Sequence, residues 1–198
     1  MQGLIIIPDM SGFTNFVNTV NMDIGVSIIR DLLNEIINKN PLDVELSEIE
    51  GDAILYYKVG KPISLMNMIA GFKKISKAFD ARYDYLKSLY NIEANLSLKF
   101  IVHYGNINLY NINGFRQLYG ETVIESHMLL KNGCGATNYI LITEDYLKAL
   151  AQTNSETILD HKEYDYHYSE LSIGLREIGY YYFNYSSNTV KENLLVRA

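Results

Sequence analysis

The chain has 198 residues, 17 Lys plus Arg against 23 Asp plus Glu, one Cys and a formal net charge of -6, and 48% of it is hydrophobic. That suits a single domain spanning 1–198 with one good core. An acidic chain without a basic run does not hold nucleic acid through its own charge. No apolar run approaches the roughly 20 residues that cross a bilayer, and the lone Cys134, with no secretion-type leader, points to a cytoplasmic protein.

Leu4-Ile5-Ile6-Ile7-Pro8 is a short continuous apolar run, as expected of a strand buried on both faces and ending at Asp9. Ser11 is a candidate cap for the helix that follows. From Met22 to Asn40, Ile24, Ile28, Leu32 and Ile36 recur every four residues, so two helical pieces broken near Asn21 are expected. Val44–Glu50 and Ala53–Tyr57 flank Gly51-Asp52 and read as a hairpin. Alternation from Val44 puts Glu48 on the face of Val44 and Leu46.

A long amphipathic helix is expected over Ile63–Tyr90, with Leu65, Met68, Phe72, Ile75, Phe79, Leu86 and Leu89 as its stripe. Leu96–Tyr104 and Asn106–Tyr110 read as a hairpin hinged at Gly105. A helix over Glu121–Lys131, a strand at Tyr139–Thr143, a short helix at Glu144–Leu150 and a Tyr-rich hairpin hinged near Gly174 complete the domain. Residues 186–198 are expected to form a loose tail. This order contains two split βαβ units, which predicts an α+β fold of ferredoxin-like type.

In such a unit the third strand inserts beside the first and runs antiparallel to it. The end of the first strand then meets the start of the third, so Asp9 and Asp52 are expected at one edge of the sheet. Paired carboxylates there suit a hard divalent ion, Mg2+ or Mn2+; the plain alternative is that both are turn residues. Met10-Ser11-Gly12-Phe13-Thr14 opens a helix directly after Asp9, and free N–H groups at such a start receive phosphate oxygens as readily as they form a capped turn. The four His and Cys134 have no zinc spacing, His161 and His167 included. No Walker A loop, Gly-x-Ser-x-Gly elbow or dinucleotide fingerprint is present.

Four segments in order resemble the class III nucleotidyl cyclases, the adenylyl and guanylyl cyclase catalytic domains. Pro8-Asp9-Met10-Ser11-Gly12-Phe13-Thr14 resembles their first metal-binding segment, and Glu48-Ile49-Glu50-Gly51-Asp52 the second. Ile101-Val102-His103-Tyr104-Gly105 is similar to the strand ending in His-x-Gly, and Tyr119-Gly120-Glu121-Thr122-Val123 to the following helix start. The stretch from Gly120 to Asn132 further resembles an uncharacterised bacterial family built on that domain.

The resemblance implies a class III nucleotide cyclase fold, an antiparallel-rich sheet covered by helices. It implies Asp9 and Asp52 as ligands of Mg2+ or Mn2+, a nucleoside triphosphate bound at Met10, Ser11, Gly12, Phe13 and Thr14, and a homodimer with its sites at the interface. Glu48 and Gln117 fall at the base-reading positions; the two oxygens of Glu48 suit a guanine N1–H and 2-amino group, with a solvent-facing acid as the alternative. The departure is on the next helix, where Ile124 and Met128 occupy the positions of a ribose-orienting Asn and a phosphate-stabilising Arg. Lys131 and Arg176 are candidate substitutes. The resulting expectation is a metal- and nucleotide-binding domain degenerate as a cyclase, serving as a sensor or interaction module. The alternatives are an active purine nucleotidyl cyclase with substituted groups and a purely structural domain.

Overall fold

A strand that is apolar on both faces is stable only between two others, and β1 (Gln2–Ser11) lies between β3 (Ala53–Val59) and β4 (Ser97–Asn106), antiparallel to each. The computed structural model describes residues 1–153 and 165–185. The expectations for His161 and for residues 186–198 lie outside the described residues.

After β1 come α1 (Phe13–Thr19), α2 (Met22–Lys39) and β2 (Glu45–Glu50), and β3 leads into α3 (Leu65–Tyr90) and β4. β5 (Asn108–Ile112), β6 (Phe115–Tyr119), α4 (Glu121–Leu129), β7 (Tyr139–Thr143), α5 (Glu144–Gln152), β8 (His167–Ile173) and β9 (Arg176–Asn184) follow. Among the described residues the main sheet has seven strands in the order β2-β3-β1-β4-β7-β9-β8. β3 separates β1 from β2, and β1 separates β3 from β4, which are the two split βαβ units expected. Among the described residues only the β4–β7 pairing is parallel. The architecture is α+β, a mostly antiparallel mixed sheet covered by helices.

Alternation divides the strand residues between two cores. Leu4, Ile6, Ile54, Tyr56, Phe100 and Val102 pack under α2 and α3, where Phe100 stacks on Phe72 with ring centroids 4.2 Å apart. Ile5, Ile7, Leu55, Tyr57 and Ile101 face the other way, toward Leu129 of α4 and the β8–β9 hairpin. The break at Asn21 is a cap, since its side chain accepts from the N–H groups of Asp23 and Ile24.

Four expectations change. β1 runs on past Asp9 because Met10 and Ser11 still pair with Leu98 and Ser97. Ser11 is therefore in the ladder and does not cap α1; the cap position is Gly12, at φ 91° and without a side-chain cap. Gly105 is not a hinge: it pairs with Gly3, and a Cβ there would stand 2.4 Å from the Thr122 hydroxyl, so the missing side chain is what lets α4 approach. β5 instead pairs with β6 across Asn113-Gly114, both at positive φ, the turn conformation that matches strand twist. Finally, Leu89 is exposed because the 3.6-residue period carries the buried stripe through Tyr83 and Leu86 and leaves Leu89 off it.

The stack between the sheet and α3 yields a first prediction. Phe100→Ala removes a fully buried ring that packs against Phe72 and Tyr185 and should cost about 3–5 kcal/mol of stability in denaturant unfolding. A loss under about 1 kcal/mol would show that this core does not carry the fold.

Candidate functional site

The register of β1 carries four side chains into one row on the α4 face. Glu50 is opposite Ala53, Ala53 opposite Asp9, and Asp9 opposite Lys99. Asp52 precedes Ala53 in the β2–β3 turn, whose Gly51 takes φ 60°. Asp9 and Asp52 are thus brought together, close enough that the Asp9 charge is felt at Asp52.

Burial, with the neighbouring Asp9 charge second, pushes the Asp52 carboxyl up to about 6; a backbone hydrogen bond and Lys99 oppose the rise. Lys99 is the residue that sequence reasoning missed. Its Nζ lies 2.7 Å from Asp9 Oδ2, with the two side chains only 17% and 14% exposed. A largely buried lysine needs such a partner. Its signal was visible as the one charge in the apolar stretch Leu98–Val102.

Of the segment after Asp9, Met10 is only 2% exposed and belongs to the core beneath the helices, so its side chain is not available to a ligand. Phe13 is half-buried against that same core. Ser11 and Thr14 keep accessible side chains. Gly12 is required as glycine, because a Cβ would lie 2.3 Å from the Asn95 carbonyl oxygen at a positive φ. The first N–H groups of α1 have no acceptors within the helix.

Glu48 does not share a face with Val44 and Leu46. The register slips between Leu46 and Glu48, so Ser47 is the extra residue of a bulge. Glu45, Glu48 and Glu50 then sit opposite Tyr57, Leu55 and Ala53, all on the α4 face. Gln117 is half-buried on β6, whose neighbour Arg116 reaches Glu45 at 2.6 Å. No residue contact joins Gln117 to Glu48 among the described hydrogen bonds.

On α4, Thr122, Glu125, Ser126 and Leu129 are buried, whereas Ile124 and Met128 are 62% and 40% exposed. The helix is clamped by polar groups. Thr122 Oγ1 donates to the Asn106 carbonyl at 2.9 Å, and Glu125 lies 2.8 Å from His103 Nε2. His103 Nδ1 is 2.9 Å from Thr143 Oγ1. The His103 hydrogen bond holds the Glu125 carboxyl below its ordinary value against the cost of burial. Arg176 donates to Glu125 at 2.8 Å and also pairs with Asp145, so it is committed to this clamp. Lys131 is exposed just beyond the helix.

His127 leans toward β2. Its Nδ1 is 3.7 Å from Glu50 Oε2, and one ligand atom from each of Glu48, Glu50 and His127 falls within 4.8 Å of the others. A separate apolar groove of about 440 Å³, lined by Phe13, Phe16, Val26 and Ile49 among others, includes neither Asp9 nor Asp52.

A family model described as "Protein of unknown function (DUF2652)" matches residues 29–139. No curated protein matches the sequence. Solved structures with the same fold include the adenylyl cyclase CyaB from P. aeruginosa, 12% identical with a TM-score of 0.66, where the alignment covers 96% of this chain and 97% of that one. The guanylyl cyclase Cya2 is 12% identical at a TM-score of 0.67, over 97% and 94% of the two chains. The guanylate cyclase domain of RhGC from Catenaria anguillulae, solved in complex with GTP, is 13% identical at 0.57, over 92% and 96%. The cyclase fold is therefore shared, at identities that speak for fold alone.

The raised Asp52 carboxyl has a stability consequence. A carboxyl whose folded-state value lies above its unfolded one favours the fold while protonated, and that contribution is lost as pH rises through about 6. Between pH 4 and pH 8 the loss should be about 1–2 kcal/mol, discounted for partial exposure. Asp52→Asn should remove that pH dependence in chemical unfolding, and an unchanged slope would contradict the described environment.

Proposed function

The chain belongs to the family described as protein of unknown function (DUF2652), and we propose that it is a cyclase-fold domain that binds a divalent metal and a nucleotide, lacks efficient cyclisation, and serves as a sensor or interaction module. One contrast carries this reading: Asp9 and Asp52 meet at the end of β1, while Ile124 and Met128 stand exposed where the resemblance calls for hydrogen-bonding and cationic groups.

The donor set fits Mg2+ or Mn2+, since two adjacent carboxylates with a net negative balance are what a hard cation seeks. The raised Asp52 carboxyl supports this, since burial first and the Asp9 charge second disfavour its ionised form, and a bound cation would offset both. Bound there, such an ion supplies positive charge to a triphosphate that the acidic chain otherwise repels. Asp9 and Asp52 would hold it, and Lys99 would keep Asp9 neutralised when the ion is gone. Gly12 allows the tight turn that leaves the first amides of α1 free for phosphate oxygens. Glu48 and Gln117 are the base-reading candidates; a relative in fold solved with GTP supports a purine nucleotide as the first to try.

Ile124 and Met128 neither donate hydrogen bonds nor carry charge. Loss of one electrostatic donor typically slows a reaction about 10²- to 10³-fold, so turnover should be at background. Their exposed apolar surface suits a protein partner, and a homodimer is the arrangement we infer. A second reading, an active purine nucleotidyl cyclase, is favoured by the retention of both carboxylates. It would need Lys131 or a partner subunit for the missing charge, because Arg176 is held by Glu125 and Asp145.

Calorimetry with a nucleoside triphosphate panel and Mg2+ or Mn2+ should show metal-dependent binding that Asp9→Ala weakens at least about tenfold. Pyrophosphate release should stay at background, with no cyclic product by mass spectrometry. Sustained turnover would establish the second reading, and absence of metal-dependent binding would overturn both.

A further inference from the structure

We propose that Glu48, Glu50 and His127 form a separate binding site for a borderline divalent metal of the Zn2+ class, bridging β2 and α4. Two Glu from one strand and a His from a distant helix bring their ligand atoms within 4.8 Å of one another. Imidazole together with carboxylate oxygens is a donor set for zinc or a neighbouring transition metal, whereas Mg2+ prefers oxygen alone.

Two constraints build the arrangement. The bulge at Ser47 turns both Glu48 and Glu50 onto the α4 face with Glu45, which regular alternation from Glu45 would not do. α4, which carries His127, is fixed by Thr122 to the Asn106 carbonyl and by Glu125 between His103 and Arg176. The helix is therefore anchored by its polar inner face while β2 is paired to β3, and the three side chains converge between them.

The cluster is also left unsatisfied. At 3.7 Å the His127–Glu50 pair is too long for a hydrogen bond, and among the described residues no Lys or Arg pairs with Glu48 or Glu50. Side-chain exposures of 33% for His127 and 57% for Glu50 leave the group reachable from solvent. A metal at about 2.0–2.2 Å from each ligand would draw the three together by about an ångström and keep at least one position open. β3 lies between this site and Asp9, which separates the two backbones by two strand spacings, about 10 Å. The inference does not depend on nucleotide binding. It does reassign Glu48, which cannot read a base while it holds a metal.

Equilibrium dialysis against Zn2+ with metal analysis, joined to the visible spectrum of the Co2+ form, tests the site in the full chain. Wild type and Asp9→Asn should each bind one tight equivalent of comparable affinity, beyond any weaker binding at the aspartate pair, and show the same Co2+ bands. His127→Ala and Glu48→Gln should bind at least tenfold more weakly and lose those bands while keeping the wild-type circular dichroism. Equal binding by wild type and His127→Ala, or no binding by wild type, would reduce the cluster to a surface ion pair and overturn the proposal. Loss of Zn2+ in Asp9→Asn alone would overturn it too, by assigning the metal to the aspartate pair, and would leave the nucleotide reading untouched.

Discussion

The antiparallel pairing of β1 with β3 on one side and β4 on the other governs everything else in this molecule. It buries a run of isoleucines on both faces, and it places Asp9 opposite Ala53 and Lys99. A one-residue slip in either pairing would turn Asp9 into the core under the helices. The apolar residues before Asp9 are what make that slip costly. Fold stability and the position of the acidic site therefore rest on the same ladder.

A second dependence runs through α4. Its polar inner face, Thr122, Glu125 and Ser126, is unusual for a helix laid on an apolar sheet, and each group has a named partner. Glu125 is expensive to bury unless His103 and Arg176 accompany it. Removing either partner would leave a buried acid without full compensation, so the clamp is specific as well as stabilising. The consequence for the outer face is that Ile124, His127 and Met128 are presented at defined angles. Arg176, a candidate from sequence to replace the missing charge, is absorbed by this clamp.

Much of this was legible in the sequence. The apolar run before Asp9, the four-residue recurrence in α2 and the Gly51-Asp52 turn were enough to derive the split βαβ order and, from it, the meeting of Asp9 and Asp52. What failed did so for local physical reasons. Gly105 looks like a hinge, but its missing Cβ serves the approach of Thr122; the true turn signal, Asn113-Gly114, lay a few residues on. Alternation misplaced Glu48 because a bulge adds one residue to the count. Lys99 and the Glu48–Glu50–His127 group depend on partners far apart in the chain, so no spacing rule for metal ligands or ion pairs reports them.

If the end of β1 receives a metal together with a nucleotide, both should act on the same few residues. Paramagnetic broadening by Mn2+ in an isotope-labelled sample, recorded with and without a non-hydrolysable nucleoside triphosphate, tests it most directly. Nucleotide-dependent broadening is expected, centred on Asp9, Asp52, Ala53 and Lys99 and extending to the first amides of α1. Sharp, unmoved resonances at those positions under saturating Mn2+ and nucleotide would contradict it.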